Sequence, residues 1–170
     1  MSRRTAPRRI WGVAIGIAVL AVVTVVGIAV VPQVWSSARG ESVESDTSVT
    51  VTTAGATAQI PLTASWSYRP ALWDPSRMTL RSPDGLMSID LQLTSDVDPA
   101  EAARTAANAP IDAFDTEPVG TMTLLHARSD DDTIVGALTD GADVLTFVST
   151  STTAYDAELA ALLASIRFGA

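Results

Sequence analysis

The chain has 170 residues, 19 acidic against 11 basic, for a net charge of −8, and 47% of its residues are hydrophobic. All the basic residues are arginine and there is no cysteine, which excludes disulfides, thiolate metal sites, a cysteine nucleophile and a lipidated cysteine anchor. Charge is placed unevenly: Arg3, Arg4, Arg8 and Arg9 crowd the start, while from Glu41 onward 19 acidic residues face six arginines, a net −13 that repels polyphosphates and argues against nucleic acid as a partner.

After a basic tail at 1–9, the run from Ile10 to Val31 reads IWGVAIGIAVLAVVTVVGIAVV, 22 residues without a charge. At about 1.5 Å per residue a helix of that length spans about 33 Å, enough to cross a bilayer's hydrocarbon core. In lipid only a helix satisfies the backbone amides of so many β-branched residues. With four arginines before the run and only Arg39 close behind it, the positive-inside rule predicts a cytoplasmic N-terminus and an extracytoplasmic C-terminal domain. Trp11 and Trp35 stand about 36 Å apart on such a helix, near the two headgroup layers, so the membrane segment is set at 10–35 with the lipid bilayer as its partner. Gly12 and Gly16 form a G-x-x-x-G spacing, which lets two membrane helices approach and pair as a homodimer. The competing expectation is a signal peptide, with Pro32 breaking the helix and Ser36-Ser37-Ala38 offering small residues for cleavage after Ala38. That route releases a secreted ligand- or ion-binding module. A signal's apolar core is only about 7–15 residues long, which favours retention of the run as a cell-membrane anchor.

The segment 36–48 (SSARGESVESDTS) is small, polar and acidic and reads as a flexible stalk, leaving 49–170 as one extracytoplasmic domain. Val49–Thr53 and Thr57–Leu62 are β-rich pieces around an Ala-Gly-Ala turn. Trp66, Tyr68 and Trp73 follow within eight residues; they offer either an aromatic platform for a glycan or peptide, or aromatics that close the end of a sheet beside Pro70. Arg77–Arg81 and Leu86–Thr94 alternate around the turn Ser82-Pro-Asp-Gly85, predicting a hairpin with Leu80 opposite Met87, Met78 opposite Ile89 and Arg77 opposite Asp90. Asp98-Pro99-Ala100-Glu101 has the residues of a helix start: an N-cap, a proline at the first position and a capping-box glutamate. This helix is expected to end near Asn108 and to lie close against a sheet through Ala103, Ala106 and Ala107. Residues 110–120 read as a loop anchored by Phe114. Three further strands are expected at Thr121–Arg128, Thr133–Thr139 and Ala142–Ser149, the last two joined by an Asp140-Gly141 turn. Ile134 should then oppose Phe147 on one face and Ala137 oppose Val144 on the other, so both faces are apolar and both should be covered. Tyr155, Leu159, Leu162, Leu163 and Ile166 follow a helical repeat.

This order of elements resembles the PsbP/Mog1-like fold: a β-rich lead into a tryptophan corner, the Ser82-Pro-Asp-Gly85 turn, an alternating strand, the helix opening Asp98-Pro-Ala-Glu-Ala-Ala103, a meander, and a closing AYDAELAALLASIRF helix at 154–168. The resemblance covers about 49–168, although the Trp66 corner lacks the Pro-x-Gly-Trp lead of many relatives. It implies an α/β (α+β) fold in which a mostly antiparallel sheet of about six strands is covered by two helices as an α-β-α sandwich. Domains of this type in actinobacteria often sit behind a lipoprotein signal or a single membrane span, and the all-arginine, alanine-rich composition is similar to that of actinobacterial proteins. Members are mostly non-catalytic. PsbP proteins assist photosystem assembly and Mog1 binds a small GTPase, and no residue of either interface maps onto this chain.

Few residues suggest chemistry. His126 is the only histidine and alternates with Met122 and Leu124, so it reads as a sheet residue; one histidine without cysteine makes a zinc site improbable, and no G-x-S-x-G elbow accompanies it. Asp130-Asp131-Asp132 lacks the alternating ligands and glycine of a calcium loop and reads as a solvated turn. The sequence therefore points to no cofactor, no metal and no catalytic residue, and to a binding or scaffolding accessory of the cell envelope with a protein partner.

Overall fold

A computed structural model describes residues 41–129, 132–150 and 153–169, and Tyr155 only in its backbone. The expected membrane segment 10–35, the Gly12/Gly16 pair and the cleavage point after Ala38 lie outside these residues. Among the described residues no helix is long and apolar enough to cross a membrane. They belong to one compact unit, Arg39–Ala170.

In chain order, β1 (Glu41–Ser42), β2 (Thr47–Thr53), β3 (Ala56–Leu62), β4 (Ser67–Ala71), β5 (Asp74–Arg81) and β6 (Ser88–Ser95) lead into helix α1 (Pro99–Ala107). After it come β7 (Asp115–Val119), β8 (Met122–Arg128), β9 (Thr133–Asp140) and β10 (Asp143–Thr150), a single 3-10 turn, helix α2 (Asp156–Ser165) and β11 (Arg167–Gly169). Eight strands form one antiparallel sheet in the order β1-β4-β5-β6-β10-β9-β8-β7, and a second sheet has the order β11-β3-β2. The folded unit therefore begins earlier than expected. Glu41 and Ser42 pair with Tyr68 and Ser67, and Val43 is buried, its amide donating 2.8 Å to the Trp66 carbonyl. The stalk expected over 36–48 is thus, from Glu41 onward, part of the domain.

The α-β-α sandwich with two covering helices is not the architecture. The described residues are mostly antiparallel strand, eleven strands with two helices, and the reason is one of width. Eight strands spaced about 4.8 Å apart make a sheet about 34 Å across, whereas α1 with nine residues and α2 with ten are about 14–15 Å long and about 10 Å wide. Most of one face is covered instead by the second sheet. Its inward Val49, Val51, Ala58, Ile60 and Leu62 form a single core with Met78, Leu80, Ile89, Leu91, Leu93, Leu138, Leu145 and Phe147 of the large sheet. Helix α2 adds Leu159, Leu162 and Leu163 to this core. Arg128 ties β8 to its first residue, with Nη2 2.7 Å from both carboxylate oxygens of Asp156. An acidic residue in the first turn also suits the helix dipole.

On the opposite face, α1 covers only part of the sheet. Asp98 caps it by accepting 2.9 Å from the Glu101 amide, Pro99 stands in its first turn, and Asn108 closes it in the left-handed region at φ 50°. The small side chain of Ala103 lets the helix settle against Val135, Ala137 and Val144, and Phe114 packs at the side of this cluster as anticipated. Arg104 stacks over the Phe114 ring at 5.4 Å and donates 3.1 Å to the Ile111 carbonyl.

Two registers differ from expectation, each by an even step. The β5–β6 loop is longer, because the Ser82 and Met87 backbones and the Ser82 hydroxyl bond across it. Leu80 therefore opposes Ile89, Met78 opposes Leu91 and Arg77 opposes Gln92. The expected Arg77–Asp90 pair is replaced by Thr79 donating 2.6 Å to Asp90 and by Arg77 reaching Asp74 at 3.2 Å. In the β9–β10 hairpin the turn is Gly141-Ala142, with Gly141 at φ 61°, as a glycine-first II′ turn requires. Phe147 then opposes Gly136, and Ala137 opposes Thr146. A Cβ on Gly136 would come within 2.2 Å of the Leu125 carbonyl oxygen and 2.6 Å of the Phe147 ring, so the β8 backbone and the ring together occupy the space a side chain would take. Four strands lacked an apolar alternation to announce them: β1, within the expected stalk, β4, within the aromatic segment, β7, within the expected 110–120 loop, and β11, at the end of the expected closing helix.

Gly136→Ala should lower unfolding free energy by about 1–3 kcal/mol through overpacking. Gly169→Ala, whose added Cβ meets nothing within 4 Å, should stay within about 0.5 kcal/mol of the parent. Urea unfolding followed by near-UV circular dichroism tests this, and equal midpoints for the two variants would refute the account of the crowding at Gly136.

Candidate binding groove

The uncovered part of the large sheet's second face is a groove. Alternation along β5, β6 and β10 sends Met78, Leu80, Leu91 and Phe147 into the core and turns Arg77, Thr79, Asp90, Gln92, Thr94 and Thr146 the other way. Helix α1 forms one wall through Ala102, Thr105 and Ala106, and β4 forms the other through Arg69, Pro70 and Ala71, enclosing about 820 Å³. That volume lies within the usual range of ligand sites.

The groove carries charge on opposite sides. Arg69 and Arg77 stand on the β4–β5 side, and Asp98 and Glu101 on the helix side, with Asp90 on the floor. Several of these groups are already engaged: Asp98 caps α1, Asp90 accepts from Thr79, Glu101 lies 3.7 Å from Arg104, and Arg77 pairs with Asp74. Arg69 makes no ion pair among the described residues. The floor threonines turn their hydroxyls back to carbonyls, Thr146 to Gln92 at 3.2 Å and Thr94 to Val144 at 3.3 Å. This arrangement can hold an extended, mixed-charge polar segment by complementary ends. Among the described residues no group of three or more His, Cys, Asp or Glu side chains is placed to hold a metal ion.

Trp66, Tyr68 and Trp73, read either as a platform or as aromatics closing the end of a sheet, are not brought together on one surface. Trp66 is 4% exposed and belongs to the main core. Tyr68 is half-buried against that core, and its hydroxyl donates to Glu41 Oε2. This hydrogen bond is the chief reason the Tyr68 hydroxyl is pushed above its ordinary pKa. Trp73 is 92% exposed at the far end of β4, next to Leu72 at 51%. Pro70 stands where the β4–β5 register shifts, at Pro70/Ala71, a place where a strand tolerates proline. His126 is a partly covered sheet residue, its Nε2 3.7 Å from Glu117. Of the three aspartates at 130–132, only Asp132 is described, and it lies 3.9 Å from Arg128.

Sequence reasoning missed the groove residues themselves. Their signal was present in the polar alternation of Arg77, Thr79, Asp90, Gln92 and Thr94, which reads equally well as a plain solvent face. No family model, curated protein or solved structure matches the chain.

At the groove's end the β4–β5 turn is braced by Asp74. The Ser76 hydroxyl, donating 2.6 Å to Oδ1, does most to hold the Asp74 carboxyl below the ordinary carboxylate range, helped by the Ser76 amide and the Arg77 guanidinium. Because the folded value is lowered, the bracing is present above the ordinary range and is lost as pH falls through the lowered value. Ser76→Ala should raise the Asp74 titration midpoint toward the ordinary range, as read by carboxyl-carbon NMR; an unchanged midpoint would refute the assigned cause.

Proposed function

We propose that the chain is a single-pass membrane protein whose acidic extracytoplasmic domain is a non-catalytic binding or scaffolding accessory of the cell envelope, with the groove between α1 and β4 as its binding site. The observation that carries the binding site is a groove of about 820 Å³ with arginines on one side and carboxylates on the other. Such a groove suits an extended polypeptide segment of an envelope partner, held by end-to-end charge complementarity and by contact with Pro70, Ala102 and Ala106. Location rests on the 22-residue uncharged run and the arginines before it. A second reading, the module released after Ala38, is favoured by one fact: the compact unit begins at Arg39, so cleavage there removes none of it. N-terminal sequencing of the mature protein separates the two.

Two measurements test the proposal. Protease added outside intact cells should degrade the domain while the chain stays in the membrane fraction, and a protected domain would reverse the topology. A photo-cross-linking side chain at Thr79, on the groove floor, should give a defined protein adduct in intact cells. Ala106→Trp, which fills the groove from a half-exposed helix position, should remove most of that adduct without lowering the thermal midpoint. An adduct unaffected by the filled groove, or turnover of a substrate abolished by His126→Ala, would overturn the binding reading.

A further inference from the structure

Among the described residues the large, exposed apolar side chains are Leu72, Trp73, Leu86 and Val97. Three of these lie at one end of the large sheet. Leu72 and Trp73 form the two-residue turn between Ala71 and Asp74. Val97 follows β6, whose register with β5 brings the C-terminal end of β6 back to the start of β5. Leu86 sits in the β5–β6 turn, at the opposite end. An indole 92% exposed at a hairpin tip, beside a half-exposed leucine, is a costly arrangement in water unless something covers it.

The direction of β1 identifies the cover. Glu41 opposes Tyr68 and Ser42 opposes Ser67, so the N-terminal end of β1 points the same way as β4 does on its course from Tyr68 to Leu72. The chain therefore joins the domain from the side on which the apolar tip lies. The tip is four residues beyond Tyr68, about 13 Å along the strand. Five residues, 36–40, separate Trp35, the end of the apolar segment, from Glu41, a tether of six steps and at most about 20 Å. A domain held that closely by this end keeps the tip within reach of the bilayer surface. Tryptophan and leucine are suited to that layer: the indole settles at the headgroup level and the leucine at the acyl boundary. Asp140 and Asp143 stand farther along the same end of the sheet, so the contact is confined to the β4–β5 corner.

We infer that the Leu72-Trp73 turn is a membrane-docking tip that rests in the headgroup layer of the bilayer carrying the chain and fixes the orientation of the domain on the surface. The inference rests on the membrane-anchored reading proposed above. Its occupant is lipid, and it is an apolar contact, so high salt does not release it.

The test uses the full-length chain in phosphatidylcholine vesicles, with Trp11→Phe and Trp35→Phe so that only Trp66 and Trp73 emit. Trp66 is buried in the core and insensitive to lipid. Brominated lipid should therefore quench up to about half of the emission, through Trp73 alone. Adding Trp73→Ala should abolish that quenching while the chain still floats with the vesicles. A chain that floats but is quenched no more than the Trp73→Ala variant overturns the docking tip and leaves the anchor standing. A blue shift that grows with protein-to-lipid ratio, without lipid quenching, assigns the tip to a second copy of the chain and likewise overturns the inference. A chain that does not float overturns the anchor and the docking tip together.

Discussion

A sheet eight strands wide has more surface than two short helices can cover, and the rest of this domain follows from that mismatch. On one face the shortfall is met by three further strands, whose small and β-branched side chains sit close enough to form a common core with the large sheet. On the other face α1 covers β9 and β10 through alanines and leaves β5 and β6 open. The open part is polar because water, not hydrocarbon, is its neighbour. The groove is thus the uncovered remainder of the sheet, and its residues are those that alternation turns away from the core.

Much of this was legible locally. The helix beginning at Asp98 was set by capping chemistry that needs only four consecutive residues, and the structure places its cap and its proline as anticipated, with Ala103 and Ala107 against the sheet and Ala106 turned to the groove instead. Which face each strand buries was also legible, because the alternation in Met78/Leu80 and Ile89/Leu91/Leu93 depends on parity alone. Both registers that differ do so by an even step, which keeps every side chain on its own face. Exact pairing depends on turn geometry, and Ser82 bonding to Met87 lengthens one loop in a way that composition does not reveal.

What was not legible is what only the assembled sheet decides. Val49–Leu62 read as a first strand or hairpin and Arg167-Phe168 as the close of the last helix, and nothing local indicates that they pair with each other to form a second sheet. β7 is exposed from Asp115 to Pro118, with only Val119 reaching the core, and carries no alternation. The aromatic cluster illustrates the same limit at the candidate site: Trp66 and Trp73 are close in sequence, yet a five-residue strand carries one into the core and the other to an exposed tip. Proximity along an extended chain amounts to separation in space, since each residue advances the chain by about 3.3 Å.

The β7 edge of the large sheet has one further consequence. β7 carries Pro118 between Glu117 and Val119, with Asp115 at its start. A strand interrupted by an imide and flanked by negative charge is a poor partner for edge-to-edge association. Copies that meet along that edge gain little from pairing, which disfavours fibre-like growth through it.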